Sequence, residues 1–204
     1  MTFVSWLDQV ISRRARFAVL GVALLLVVAP LFPLWQITMF ANQFPEGLRM
    51  WIFSYKVVGG AGGADLQGIN ILNHYIGMRE IAAVDFWEMK AIPFAIGIFF
   101  LIGLRTIVFA KVRDLVDQTV MFLYFAAFSF AVFWYRMYSY GHHLNPEAPI
   151  KVAPFTPPVF GRQHIANFDV YSYPGVGTVL LLLAGLGLFS VLYIEWRQRP
   201  GTTG

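Results

Sequence analysis

The chain has 204 residues, of which 58% are hydrophobic, 17% aromatic and 13% charged, about half the charged share of an ordinary soluble domain. Its apolar residues gather in blocks of about twenty, the length that crosses the hydrocarbon core of a bilayer, which excludes a water-soluble enzyme and predicts an all-α integral membrane protein. Zero cysteines exclude disulfides, iron–sulfur clusters and covalent c-type haem, and the net charge of +4 comes from basic residues that flank the apolar blocks as topology signals rather than form a nucleic-acid surface.

In chain order, residues 1–16 place Phe3, Trp6, Leu7, Val10 and Ile11 at helical spacing ahead of Arg13, Arg14 and Arg16, which predicts an amphipathic helix lying on the cytoplasmic leaflet. Residues 17–37 follow as a first span, an uncleaved anchor bent near Pro30 and Pro33. The extracytoplasmic loop 38–90 contains Leu48 to Val57, aromatic and β-branched enough for a strand or short hairpin, and then the glycine-rich run 59–63. Asp65 is placed to cap a short helix from Leu66, which Gly77 ends.

The second span is 91–110, with Pro93 in its first turn where a missing N–H costs nothing. A cytoplasmic turn at 111–118 leads to a third span at 119–137, an extracytoplasmic loop at 138–174, a fourth span at 175–194 and a tail at 195–204. Arg13, Arg14 and Arg16, then Lys111 and Arg113, then Arg197 and Arg199 all fall on one side of a four-span chain, so the positive-inside rule puts both termini in the cytoplasm of a multi-pass protein of the bacterial inner membrane.

All four histidines lie in the outer loops, so the spans offer no axial pair for a membrane b haem, and the eleven carboxylates avoid the predicted midplanes that proton or ion translocation uses. Arg105, inside the second span, and Arg136, at the outer end of the third, read as contacts to anionic lipid or to a partner's carboxylate, or as side chains that snorkel to the interface. Trp35, Trp51, Trp87, Trp134 and Trp196 read as belt anchors. No nucleophile–base pair, carboxylate dyad or phosphate-binding loop is present, which points to a noncatalytic chain.

The chemistry that remains is on the outer side. His74 and Met78, at i and i+4, project an imidazole and a thioether from one face if the short helix continues past Gly77, and soft His and Met ligands suit Cu(I) in a protein without thiolates. His142, His143 and His164 in the second loop complete the candidate metal set, with Met50 and Met137 within reach if the loops pack together. The competing reading has these histidines bonded to loop carbonyls, with Thr156-Pro157-Pro158 presenting a rigid polyproline segment.

The strings Phe44-Pro45-Glu46-Gly47-Leu48, Ile69-Asn70-Ile71-Leu72-Asn73-His74-Tyr75-Ile76-Gly77-Met78, Pro157-Pro158-Val159-Phe160-Gly161 and Asn167-Phe168-Asp169-Val170-Tyr171-Ser172-Tyr173-Pro174 resemble a family of small bacterial membrane proteins associated with nitrous-oxide-reductase maturation clusters, beside copper-handling accessory proteins. The resemblance covers roughly residues 40–175 and brings no catalytic residues with it. It implies an extracytoplasmic copper context. Two functions are therefore open: an accessory protein that handles or presents copper for a metalloenzyme, and a structural subunit of a respiratory or photosynthetic electron-transfer complex. In both, the partners are membrane lipids and other membrane or periplasmic proteins.

Overall fold

A computed structural model describes residues 3–198 and corrects the all-α expectation: the protein is mixed α/β, 59% helical, with a five-stranded antiparallel sheet. The helices are α1 (Phe3–Leu7), α2 (Arg13–Val28), α3 (Ala64–Tyr75), α4 (Glu88–Phe109), α5 (Val112–His142) and α6 (Val176–Arg197). The strands are β1 (Trp35–Ala41), β2 (Phe44–Ile52), β3 (Val57–Gly59), β4 (Gly161–Ile165) and β5 (Phe168–Pro174). Among the described residues, four helical stretches are long and apolar enough to cross a membrane: Arg13–Leu31, Glu88–Phe109, Val112–His142 and Val176–Arg197.

Contacts divide the chain into two compact units, one of Met1–Ala29, Pro93–Phe128 and Val179–Gly204, the other of Pro30–Ile92 and Ser129–Thr178. In the second unit the sheet runs β3-β2-β1-β5-β4, so strands from both predicted loops interleave. β1 is its centre, pairing with β2 from Trp35↔Ile52 to Ala41↔Phe44 and with β5 from Trp35↔Pro174 to Ala41↔Phe168. This corrects the first span. Its helix stops at Val28, a 3-10 turn covers Ala29–Leu31, and the apolar run beyond Pro33 is a strand, because a buried β-strand and a buried helix are equally apolar.

One face of the sheet is the core. Ile37, Met39, Leu48, Met50, Ile165, Phe168 and Val170 pack with Ile69, Leu72 and Ile76, which the helical period sets on one side of α3 and its end. Gly68 allows that approach, since a Cβ there would lie 3.0 Å from both Leu48 methyls. Asp65 does not cap α3. Its carboxylate accepts the Arg49 N–H (3.0 Å), and the N-cap position is Gly63 in the left-handed region. Gly77, at φ +79°, ends the segment as expected, and a side chain there would collide with the Asn145 carbonyl.

Within the first unit α1 ends at Leu7, short of the predicted helix over 1–16. Trp6 and Ile11 are buried but Val10 is 62% exposed, so the helical period fails after Leu7. Val10 instead bridges to Lys111, Ile11 N–H donates to the Ala110 carbonyl (2.7 Å) and Val112 N–H to the Gln9 carbonyl (3.0 Å). Backbone pairing with the α4–α5 turn outcompetes a free amphipathic surface helix. That turn is only Ala110 and Lys111, since residues 112–118 of the expected cytoplasmic loop already belong to α5. The Phe3 side chain and Arg199 lie outside the described residues.

Ser12 caps α2, its Oγ accepting the Ala15 N–H (3.2 Å) while its own N–H donates to the buried Glu195 carboxylate (3.2 Å). Asp8 pairs with Arg113 and Lys111, and Trp6 meets Trp196 edge to face. Val19, Ala23, Leu115, Ala184 and Leu188 are fully buried in this unit.

Candidate functional site

Strand alternation gives the sheet a second face, and among the described residues that face has no helix over it. The register sets its side chains in three rows across the strands. The first is Val58, Trp51, Gln36 and Tyr173; the second is Arg49, Thr38, Tyr171 and Arg162; the third is Phe40, Asp169 and His164. In β1 and β5 these positions are exposed or half-buried and stand beside buried neighbours, the signature of a strand with one wet face.

Aromatic rings order this face. Phe40 meets Tyr171 edge to face at 5.6 Å, and Phe160, 69% exposed, meets Tyr173 the same way at 5.4 Å. Phe40 falls at an irregularity in the β1–β2 register, and Gly47 opposite it has φ +81°. A Cβ on Gly47 would stand 2.7 Å from the Phe40 ring, so glycine is needed there both for its backbone and for the seat it gives the ring. Apolar rings left on a wet surface at this density are the exposed feature most in need of explanation.

Charge joins them at the β4 edge. The Arg162 guanidinium donates to Asp169 Oδ2 (3.0 Å) and lies over the Tyr171 ring (5.5 Å), and His164 Nδ1 is 3.1 Å from Asp169 Oδ1. The Arg162 bonds first, and the His164 bond second, hold the Asp169 carboxyl below the usual carboxylate range. A carboxylate only accepts, so His164 Nδ1 donates to Asp169, and the side chain is 66% exposed.

The five candidate ligands are not gathered by the fold into one group. The helix carrying His74 ends at Tyr75 and the chain turns at Gly77, so Met78 packs against the sheet core while His74 stays exposed; the i,i+4 pairing is lost. His142 is the last residue of α5 and His143 follows it, and each Nδ1 faces the carbonyl four residues back, Tyr138 and Ser139 respectively, both at 3.0 Å. His142 also stacks on Tyr138 at 3.8 Å. Met39, Met50 and Met137 are core or core-packed residues. Among the described residues no three His, Asp or Glu side chains form a group able to hold a metal ion. Pro157 and Pro158 are buried, so that segment packs rather than presents itself.

The two arginines read as lipid or partner contacts have partners in this chain. Arg105 pairs with the buried Asp114 (3.1 Å). Arg136 grips Glu88 through Nε (2.8 Å) and Nη2 (2.9 Å) and donates to the Asp85 carbonyl. Trp35, read as a belt anchor, sits in β1 with its indole N–H on Ser172 Oγ (2.8 Å). The open sheet face itself escapes the residue-by-residue reading. Its signal is the alternation of Phe168, Val170 and Ser172 with Asp169, Tyr171 and Tyr173, which marks a half-buried strand.

Compared with models of known protein families and with curated proteins, the chain matches none.

Proposed function

We propose that this chain is a noncatalytic membrane accessory protein whose open sheet face binds a partner protein with an acidic contact surface, outside the inner membrane, as a subunit of an electron-transfer or metalloenzyme assembly. The observation that carries the reading is the make-up of that face: exposed Phe40, Phe160 and Tyr173 beside Arg49 and the Arg162–Asp169 pair, which leaves an excess of one arginine among the three rows. Aromatic and arginine side chains are the residues that anchor protein interfaces, and a cationic face steers an acidic partner. The positive-inside reading of the sequence supports cytoplasmic termini and extracytoplasmic segments after the first and third spans, the segments that supply most of the strands.

A photoreactive phenylalanine analogue introduced at Phe160 or Tyr173, in intact membranes, tests this. The expected result is one discrete adduct at either position, weakened by salt and lost in the Arg49→Glu/Arg162→Glu variant, with none from the same probe at the exposed Val84. An adduct indifferent to salt and charge reversal, or equal labelling from Val84, would overturn it.

Copper presentation is the second reading, and His164 favours it. A histidine whose Nδ1 is held by a carboxylate and whose Nε2 is free has the outer-shell support that metal-ligating histidines have. The resemblance to the nitrous-oxide-reductase maturation family agrees with it. Stoichiometric Cu(I) uptake by the detergent-purified chain that is lost in His164→Ala would establish this reading, and uptake unchanged in that variant would remove His164 from it.

A further inference from the structure

We propose that the start of α2 forms a binding site for one anionic phospholipid, its phosphate held by Arg13 and Arg16 and an acyl chain laid along Phe17, Leu20 and Ile107. These five residues line a groove of about 480 Å³ within the first unit. Arg13, Arg16, Phe17 and Leu20 stand at i, i+3, i+4 and i+7, which puts all four on one stripe of the helix. Along that stripe the chemistry changes from two guanidinium groups to apolar side chains over about 10 Å of axial rise, the polarity order of a lipid crossing from headgroup to tail.

The Nε of Arg16 is a buried donor without a hydrogen-bond partner among the described residues. A buried donor left unpaired is costly, and a phosphate supplies several acceptor oxygens that planar guanidinium groups engage in pairs. Arg13 lies 5.7 Å over the Phe17 ring, and Phe17 and Leu20 are 62% and 37% exposed, so the apolar wall is open to an acyl chain. Free phosphate would use the head of this groove and leave the wall uncovered. The amphiphile uses both.

The test is native mass spectrometry of the full chain in detergent, titrated with dioleoyl phosphatidylglycerol and, separately, dioleoyl phosphatidylcholine, with inorganic phosphate as a third arm read by thermal shift. Phosphatidylglycerol is expected to bind about tenfold more tightly than phosphatidylcholine, and Arg13→Ala/Arg16→Ala to bring the two lipids to parity. Phosphate alone is expected to leave the melting temperature unmoved at concentrations where the anionic lipid raises it. Equal binding of the two lipids by the wild-type chain, an anionic preference that survives in the double variant, or protection by phosphate equal to that by the lipid would each overturn the proposal. The wild-type comparison of lipids needs no variant to fold.

Discussion

The two faces of the sheet are made by the same strands with opposite chemistry. On the inner face Ile37, Met39, Leu48 and Met50 are almost fully buried against Ile69 and Leu72 of α3. On the outer face Phe40, Arg49, Tyr171 and Tyr173, each one residue away from a buried position, are exposed or half-buried. A fold needs only one of these faces covered. The difference teaches where to look for function: inner-face residues answer to packing, whereas the outer-face rings contribute little that the fold requires, so their presence needs another cause.

The largest expected effect is therefore on the inner side. Ile69→Ala, at a position 1% exposed in the centre of the core, should destabilise the protein by about 2–5 kcal/mol, read as a lowered thermal midpoint in detergent. A loss under about 1 kcal/mol would mean that α3 is not the cover that holds the sheet.

Next comes the Arg136–Glu88 pair, half charge and half burial. Arg136→Ala leaves the Glu88 carboxylate, 12% exposed, without its two charged donors, and should cost about 2 kcal/mol. Removing Glu88 as well should recover part of that, and the double-mutant cycle measures the coupling. If the double variant is no better than additive, the pair is a bystander to stability.

On the outer face the expected stability changes are small. Phe40→Ala loses one edge-to-face contact and its seat on Gly47, about 1 kcal/mol or less, and should reduce the adduct formed from position 160 or 173 far more than it lowers the melting temperature. The reverse outcome would make Phe40 a packing residue. The smallest effect is that of acid. Because the Asp169 pKa is depressed in the folded state, whatever the carboxylate contributes is complete above the ordinary carboxylate value near 3.9 and is lost only as pH falls through the lower folded value. The Arg162–Asp169–His164 arrangement should thus persist from neutral pH down to about pH 4, and adduct yield should not change through loss of the Asp169 charge over that range. Asp169→Asn, which removes the charge at every pH, separates this group from other titrating groups.

Much of the helical part was legible because long apolar blocks bounded by arginines have one physical meaning. The segments around Pro93 and Gly175 became α4 and α6 within a few residues of the expected ends. The sheet was not, for two reasons. Trp35 to Ile37 continue an apolar run, and hydropathy does not distinguish a membrane helix from a buried strand once Pro33 has intervened. The pairing of β1 with β5 is also between segments far apart in the chain, and local pattern carries no register between them. Of the site, His164 was found as a residue type, but its partner Asp169 was not, because cross-strand neighbours become visible only once β4 and β5 are aligned. The His74 and Met78 pairing depended on a helix that Gly77 breaks, and Gly77 was in plain view.

The account turns on the claim that the outer face is a working surface which the fold does not need. The direct test is the double variant Phe40→Ala/Tyr173→Ala, compared with Ile69→Ala for thermal midpoint and for adduct formation from position 160 in intact membranes. The account predicts that the outer-face variant melts close to wild type and gives no adduct, while Ile69→Ala melts far lower. An outer-face variant that melts as low as Ile69→Ala, or that keeps its adduct undiminished, would contradict it.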